Sequence, residues 1–193
     1  MKLVLFGGSF DPPHKGHLEM IKESSINSDK LILMPSFKSP LKIKYNASPE
    51  KHRINMLKLL INDLKDTIEI DSWEINRKQQ SFTYLTIKYL KDKYPNASLS
   101  IIIGSDQLRQ FNKWKNYKYI IENVHIICFQ RDYHKLYSYE NMSITWIDDF
   151  NVEISSSTVR KKIKNQDDVI FELTPTILKY IKENKLYGSD DVS

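Results

Sequence analysis

The chain has 193 residues, 40% of them hydrophobic and 27% charged, a composition typical of a soluble globular protein with its own core. The formal net charge of +5 suits an anionic ligand such as a nucleotide, but it suits nucleic acid equally. The single cysteine, Cys128, excludes an intramolecular disulfide and a thiolate metal cluster, and it predicts a reducing, cytoplasmic location. No signal peptide precedes the first strand-like run, and no apolar stretch reaches the ~18 residues of a membrane helix, so no membrane association is expected.

Apolar runs and helical patterns alternate from the start of the chain. Residues 2–6 predict a buried strand that Gly7 and Gly8 end, and a helix is expected from residue 15 or 16 to residue 25. Residues 30–34 predict a second strand, and the polar, proline-containing segment 35–47 predicts a loop.

The alternation continues through the rest of the chain. Ser48 is expected to cap a helix with Pro49 at its first position, and Ser81 is expected to cap another. The remaining expected elements are strands near 68–71, 99–103, 124–129 and 144–147, and helical segments near 114–121, 155–164 and from Thr174-Pro175 onward.

This order predicts an α/β fold with a doubly wound, mostly parallel sheet, helices on both faces and right-handed crossovers. The sequence contains no internal repeat, low-complexity segment or obvious linker. We therefore expect one domain over residues 1–187 and a loose tail over residues 188–193.

The segment GGSFDPPHKGH, residues 7–17 and here called the histidine motif, joins the first strand to the first helix. In open α/β sheets, ligands bind beyond the carboxyl ends of strands. Gly7 and Gly8 allow backbone amides to approach a ligand, and the following helix start favours phosphate. His14 and His17 have the spacing of one helical face, so both imidazoles can donate to one phosphate, which Gly16 lets approach. A metal site is the alternative, but no third ligand stands nearby.

The segment ISSSTVR, residues 154–160 and here called the serine motif, combines hydroxyl groups with a predicted helix start. Serine hydroxyls beside free backbone amides form an anion site, and Arg160 can fork onto phosphate oxygens. An ordinary serine-capped helix with a solvated arginine is the alternative. The histidine motif at the other end of the chain favours the phosphate site.

The histidine motif resembles the GG[ST]FDPxHxGH signature of bacterial-type nicotinate-mononucleotide adenylyltransferases, which belong to the HxGH nucleotidyltransferase superfamily. The serine motif resembles the second superfamily signature, ISSSxxR. The resemblance implies a Rossmann-like nucleotidyltransferase fold and catalytic roles for His14, His17 and Arg160 at the ATP phosphates. The ATP-binding residues that it implies are Gly7, Gly8, Ser9, Phe10, His14, Gly16, His17, Gly104, Asp106, Arg131, Ile154, Ser155, Ser156, Ser157 and Arg160.

Two further segments favour a pyridine nucleotide as the acceptor. Residues 81–86 resemble the family's S[YF]T segment, which implies that Thr83 contacts the nicotinate carboxylate at a helix start; simple capping by Ser81 is the alternative. Residues 102–106 and Trp114 resemble the family's IIGxD…W block, which implies ribose binding by Asp106 and ring stacking on Trp114. The resemblance also implies that the Lys115 amide meets the carboxylate. A core position for Trp114 is the alternative, but its flanking lysines favour partial exposure.

The segment 34–42 departs from the family pattern. Ser36 stands where an Asn is usual and Leu41 where a His is usual, whereas Lys42 keeps the basic position. The resemblance implies that Ser9, Ser36 and Lys42 contact the mononucleotide. Lys115 replaces a usual Tyr, so an amide contact survives the change but a hydroxyl role does not.

The implied reaction is in-line attack of the 5′-phosphate of nicotinate mononucleotide on the α-phosphorus of ATP, which gives deamido-NAD and pyrophosphate in NAD biosynthesis. Mg²⁺ is the expected cofactor, held mainly by phosphates and water, with no protein metal site. Nicotinamide mononucleotide and phosphopantetheine are alternative acceptors. A non-catalytic nucleotide- or RNA-binding module is the alternative of another class, but it leaves the histidine pair without a purpose. Nucleic acid is not an expected partner, and the sequence is compatible with an oligomer.

Overall fold

In the computed structural model, residues 1–40, 46–130, 138–148, 150 and 154–191 are described. In this part of the chain a single sheet has the strand order β3-β2-β1-β4-β5-β6, and every neighbouring pair is parallel. The strands are β1 (Lys2–Gly8), β2 (Lys30–Pro35), β3 (Ile68–Ile70), β4 (Ser98–Gly104), β5 (His125–Phe129) and β6 (Ile144–Ile147). The predicted doubly wound α/β fold is confirmed.

Helices lie between the successive strands from β1 to β5 and after β6, and they cover both faces of the sheet. They are α1 (Lys15–Ser25), α2 (Glu50–Ile61), α3 (Trp73–Arg77), α4 (Thr83–Lys93), α5 (Ser105–Leu108), α6 (Tyr117–Asn123), α7 (Ser156–Lys164) and α8 (Pro175–Glu183). Two 3-10 segments, Phe111–Lys113 and Leu186–Asp191, complete the described elements. Among the described residues, no helix is both long enough and apolar enough to cross a membrane.

Strand β1 is buried on both faces because successive side chains of a strand point to opposite sides. Val4 and Phe6 join a core cluster that includes residues of α1, α2, α7 and α8. Leu3 and Leu5 join a second cluster on the other face, which includes residues of α4 and α6. The continuous apolar run in the sequence therefore marks the centre of the sheet.

The predicted helix caps have mixed outcomes. The hydroxyl of Thr174 accepts from the backbone N–H of Ile177, with Pro175 at the first helical position, as predicted. The prediction for Ser48 is wrong: α2 begins at Glu50 with Pro49 as its cap residue, and Ser48 uses its backbone in contacts with other segments. The helix start predicted at Ser81 also lies elsewhere, as described below.

Several boundaries differ from the expected ones. Gly7 and Gly8 are the last two residues of β1 and pair with Met34 and Pro35, so the strand extends beyond residues 2–6 and ends at Gly8. The helix expected from residue 114 begins at Tyr117, after Asn116 adopts a left-handed backbone with φ of 56°. Residues 188–193 were expected to be a loose tail. The structure has 3-10 turns through Asp191 and a buried Ser189, whose hydroxyl donates to the Ile181 carbonyl.

Candidate active site

A cavity of about 410 Å³ lies at the carboxyl ends of β1 and β4, where the strand order changes direction along the sheet. Ligands of open α/β sheets bind at such switch points, and the volume suits a small molecule. Its lining includes these sequence-predicted residues: Gly7, Gly8, Ser9, Ser36, Thr83, Asp106, Trp114 and Lys115. Segments that are distant in the sequence therefore meet at one cavity.

The first turn of the histidine motif depends on a close contact between Gly8 and Phe10. A Cβ at Gly8 would lie 3.1 Å from the Phe10 ring, which is tighter than ordinary packing. Phe10 is buried, has a left-handed backbone with φ of 49°, and packs edge-on against Phe6 at 5.3 Å. A Cβ at Gly7 would meet nothing within 4 Å. Gly8 therefore accommodates a neighbouring ring, whereas Gly7 leaves open space beside the cavity.

The two histidines of the motif lie against each other at the start of α1. His14 is the cap residue, with extended backbone angles, so it does not share the helical turn with His17 as the sequence predicted. Its backbone N–H donates to Nδ1 of His17 at 3.2 Å, and the ring centroids are 3.7 Å apart. Because Nδ1 of His17 accepts this bond, the neutral imidazole carries its proton on Nε2. His17 thus presents an N–H donor at the opposite edge of its ring.

The serine motif contacts the histidine motif directly. The Ser156 hydroxyl donates to the Pro12 carbonyl at 2.9 Å, and Nη1 of Arg160 donates to the Asp11 carbonyl at 2.6 Å. Ser155 caps α7 by accepting from the Thr158 backbone N–H, as its place in the predicted helix start suggests. Two motifs that are about 140 residues apart in the sequence therefore form one structural unit.

The carboxylate of Asp11 fixes the same loop from a third direction. Asp11 has no exposed surface. Its Oδ2 accepts from the Ser48 backbone N–H at 2.9 Å, and its Oδ1 accepts from the hydroxyl of Tyr187. The histidine motif is thus tied to the segment before α2, to α7 and to the C-terminal 3-10 segment.

The other wall of the cavity is formed by the start of α4 and by the segment after α5. Thr83 is the first residue of α4, and Phe82 precedes it as the cap residue. Nζ of Lys115 lies 4.6 Å from the centre of the Phe82 ring. Trp114 is half-buried and packs against Phe111, with 4.9 Å between ring centroids. An aromatic face, a helix start and a cation therefore adjoin the same space.

Some predicted residues lie beside the cavity or outside the described part of the chain. His14, His17, Arg160 and the serine motif are not among the lining residues. They adjoin the cavity through Ser9, which belongs to the histidine motif and lines it. Gly104 ends β4, and its backbone N–H donates to the Gln107 side chain at 3.3 Å. The predicted ligands Lys42 and Arg131, and the departure at Leu41, lie outside the described residues.

Sequence reasoning missed a buried acid in the cavity wall. Glu74 is 7% exposed and lines the cavity, and its carboxyl group bonds the hydroxyl groups of Thr86 and Ser81. The Ser81 hydroxyl also accepts from the Phe37 backbone N–H at 3.0 Å, so it ties two loops together and does not cap α4. The only signal was an acidic residue in α3, a five-residue helix too short for periodicity to indicate.

Burial raises the pKa of the Glu74 carboxyl above its ordinary value, although the Ser81 and Thr86 hydroxyls and the Arg77 charge partly oppose the shift. A carboxyl with a raised folded-state pKa contributes stability that is complete below its unfolded pKa and is lost as the pH rises through the folded pKa. Glu74→Gln, which carries no charge at any pH, is therefore expected to gain free energy of unfolding relative to wild type as the pH rises.

Urea denaturation of wild type and Glu74→Gln between about pH 5 and about pH 8 measures this difference. The matched control is Glu23→Gln, at an exposed position of α1. Its difference from wild type should stay flat over the same range. A Glu74→Gln difference that stays constant or shrinks as the pH rises would contradict the assigned direction of the pKa.

No group of three or more His, Cys, Asp or Glu side chains is placed to hold a metal ion within the part of the chain that the structure describes. The side chains that line the cavity combine hydroxyl groups, aliphatic and aromatic groups, two lysines and two acids. These groups suit a ligand that carries its own phosphates.

Comparison with known proteins agrees with this arrangement. Residues 5–162, which run from within β1 through β6 and the whole serine motif into α7, match the Cytidylyltransferase-like family. The sheet order, the cavity at the switch point and this match together define a nucleotidyltransferase class of protein. Among solved structures, nicotinic acid mononucleotide adenylyltransferase from Plasmodium falciparum complexed with NaAD superposes with a TM-score of 0.84 at 23% identity, covering 96% of this chain and 97% of that one. The same protein complexed with APC gives a TM-score of 0.80 at 25% identity, with 96% of each chain covered.

Sequence relatives narrow the class to a family. A protein of Bacillus licheniformis named "Probable nicotinate-nucleotide adenylyltransferase" is 33% identical over 96% of this chain and 98% of its own length. A protein of Staphylococcus saprophyticus with the same name is 34% identical over 97% of this chain and 98% of its own length. The chain therefore belongs to the nicotinate-nucleotide adenylyltransferase family.

Proposed function

We propose that this chain transfers the adenylyl group of ATP to nicotinate mononucleotide, which yields deamido-NAD and pyrophosphate. The observation that carries the proposal is the cavity itself. Residues of the histidine motif, the start of α4 and the Trp114 segment line one space at the switch point of the sheet. The near full-length similarity to nicotinate-nucleotide adenylyltransferases supports the same reaction. Since the single cysteine, Cys128, is buried, a reducing cytoplasm suits the protein.

In this proposal, ATP lies against the histidine and serine motifs. Nε2 of His17 donates to the phosphate chain, and the buried His14 packed on it supports the ring. Arg160 contributes positive charge next to the loop that its Nη1 holds. Asp106, exposed at the start of α5 and lining the cavity, accepts from a ribose hydroxyl. Arg131 remains a proposed ligand of ATP.

The acceptor mononucleotide lies on the other side of the cavity. The hydroxyl groups of Ser9 and Ser36 are 3.4 Å apart and both residues line the space, so together they can hold a 5′-phosphate. Lys42 stays a proposed partner of the same phosphate. The pyridine ring stacks on Trp114, and its carboxylate meets the first backbone amides of α4 at Thr83, where the helix dipole favours negative charge.

The charge around the cavity favours the acid form of the mononucleotide. Lys113 and Lys115 line it, and Nζ of Lys115 is held over the Phe82 ring at the pocket wall. Burial keeps the pKa of Glu74 high, which reduces the repulsion between this acid and a bound carboxylate. A nicotinate carboxylate gains attraction from the lysines and the helix start that a neutral amide does not.

The reaction requires positioning and charge stabilisation and needs no protein nucleophile. An oxygen of the acceptor 5′-phosphate forms a bond to the α-phosphorus of ATP, and the bond from that phosphorus to the bridging oxygen of the β-phosphate breaks. Pyrophosphate leaves with the electron pair of that bond. The attacking phosphate is already anionic, so no strong general base is required. His17 and Arg160 supply donors and positive charge where negative charge accumulates, while Mg²⁺ enters as part of the MgATP substrate.

The test is pyrophosphate release with ATP and Mg²⁺, comparing nicotinate mononucleotide with its amide and with phosphopantetheine. We expect release with the acid form and a clearly lower kcat/KM with the amide. A preference for the amide would keep the reaction class and overturn the proposed role of Thr83, Trp114 and Lys115. If pyrophosphate were released with phosphopantetheine but with neither pyridine nucleotide, phosphopantetheine would replace the proposed acceptor. The absence of pyrophosphate release with all three acceptors would contradict the proposed enzyme class.

A further inference from the structure

Arg53 is the largest fully buried side chain among the described residues, with 1% of its surface exposed. It projects from α2 and donates to main-chain carbonyls of three different segments. Nε donates to the Ser48 carbonyl at 3.0 Å, and Nη1 donates to the carbonyls of Ser9 and Ser36 at 2.8 Å each. One guanidinium therefore joins the loop after β1, the loop after β2 and the segment before α2.

Two of these acceptors belong to residues of the cavity wall. Ser9 and Ser36 both line the cavity, and their hydroxyl groups lie 3.4 Å apart. The backbone N–H of Ser36 also donates to the Gly8 carbonyl at 2.8 Å, so the two loops run side by side. Arg53 is not among the lining residues. Its bonds therefore hold the two carbonyl oxygens on the side of the wall that faces the protein interior.

The orientation of those carbonyls matters for an anionic ligand. A carbonyl oxygen carries partial negative charge, so one that faced the cavity would repel a phosphate. Arg53 keeps both oxygens turned away and places a positive charge directly behind the wall. Burying a guanidinium is costly unless its donors are satisfied, and apolar residues of similar volume are often as stable or more stable. An aliphatic side chain would fill the same volume but would leave the three carbonyls without these donors, so the guanidinium is needed for its hydrogen bonds.

We propose that Arg53 is a positioning residue for the acceptor phosphate. It fixes the Ser9 and Ser36 carbonyls behind the wall, so that the two hydroxyl groups remain in register as a phosphate cradle. This inference rests on the proposed function, because it takes the phosphate of the mononucleotide as the ligand. Arg53 acts through the two serines and does not touch the reacting atoms.

The test compares Arg53→Met, Arg53→Lys and a matched control on the same helix. The control is Asn55→Ala, which removes the bond from Nδ2 of Asn55 to the Tyr180 hydroxyl at 3.0 Å, a contact between α2 and α8 outside the cavity lining. For each variant the KM for nicotinate mononucleotide, the KM for ATP, kcat and the denaturation midpoint are measured. A purely structural role would lower the midpoint and leave the kinetic constants of the folded protein unchanged.

We expect Arg53→Met to lower kcat/KM for the mononucleotide by about 100-fold, the loss typical of a small misplacement of binding groups. The KM for ATP should change less, by under about threefold, since the bonds from the serine motif to the Pro12 and Asp11 carbonyls do not involve Arg53. Arg53→Lys retains the charge but lacks the planar fork. Its kcat/KM for the mononucleotide should therefore be about tenfold higher than that of Arg53→Met. Asn55→Ala should keep its kinetic constants within about twofold of wild type, whatever its loss of stability.

The proposal would be overturned if folded Arg53→Met had a kcat/KM for the mononucleotide within about threefold of the wild-type value. If Arg53→Met does not fold, Arg53→Lys decides, because an unchanged KM for the mononucleotide in that variant overturns it as well. A failure of the proposed function is recognised separately, as absence of turnover in wild type. In that case, weaker binding of inorganic phosphate by Arg53→Lys than by wild type in calorimetry supports the phosphate cradle, and equal binding overturns it.

Discussion

We expect His17→Ala to lower kcat by about 100- to 1,000-fold, the usual loss when one preorganised donor to a charged transition state is removed. The structure gives this donor a defined direction. Nδ1 of His17 accepts from the His14 backbone N–H, so the proton lies on Nε2. Alanine supplies neither the donor nor the acceptor. The effect should appear mainly in kcat, because the interaction strengthens as charge develops during transfer.

The loss of folding stability in His17→Ala should be much smaller than the loss of activity. The substitution removes the bond from the His14 backbone N–H at the start of α1, where a cap bond contributes about 1 kcal/mol, and the ring contacts with Phe10 and His14. Single-turnover assays and denaturation midpoints measure the two effects separately. The control is His52→Ala on α2, whose Nδ1 lies 3.0 Å from the Tyr180 hydroxyl; it should lose stability with kcat unchanged. Full activity in His17→Ala would refute its assigned role.

Most of the fold could be predicted because its strands are continuously apolar. The runs at residues 2–6 and 99–103 lie at the centre of the sheet and are buried on both faces, so their sequences contain little besides core residues. The short helices α3 and α5 span five and four residues, less than two turns, so no apolar periodicity could indicate them. Their positions depend on packing against the sheet.

The helix caps show the limit of local reasoning. Thr174-Pro175 behaves as its sequence predicts, and the Thr174 hydroxyl bonds groups of its own segment, the Ile177 backbone N–H and the Thr176 hydroxyl. Ser48-Pro49 carries the same type of signal, but the backbone of Ser48 is used by Arg53 of the following helix and by Asp11, which lies 37 residues away. A cap prediction from sequence assumes that no distant residue offers the same backbone a better partner.

The candidate site likewise contains residues that local sequence indicates and residues whose role depends on contacts with distant segments. The histidine and serine motifs were recognisable because their residues are clustered in sequence, and the structure brings the two motifs together. Arg53 and Glu74 were missed because each is an ordinary charged residue on a helix until the fold buries it. Their partners come from two or three separate segments of the chain. Sequence thus predicts the groups that face a ligand better than the groups that hold them in place.

Asp11 is expected to be the residue of the histidine motif on which stability depends most. Its side chain has no exposed surface and accepts from the Ser48 backbone N–H and the Tyr187 hydroxyl. Asp11→Ala leaves two donors without their acceptor, and each buried unsatisfied group costs about 1–3 kcal/mol. The free energy of unfolding should therefore fall by about 2–5 kcal/mol, measured by urea denaturation.

Tyr187→Phe is the matched comparison, because it removes the hydroxyl that donates to Asp11 and leaves the bond from the Ser48 backbone N–H in place. Its loss should be about 1 kcal/mol, the net value of one hydrogen bond. Equal losses in the two variants would contradict the assignment of two separate bonds to Asp11. Because Arg160 and Ser156 hold the main chain of the same loop, the folded fraction of Tyr187→Phe should keep wild-type kcat. The loop that carries the histidines is thus held by several independent contacts. The contact from the C-terminal segment affects the free energy of unfolding more than it affects kcat.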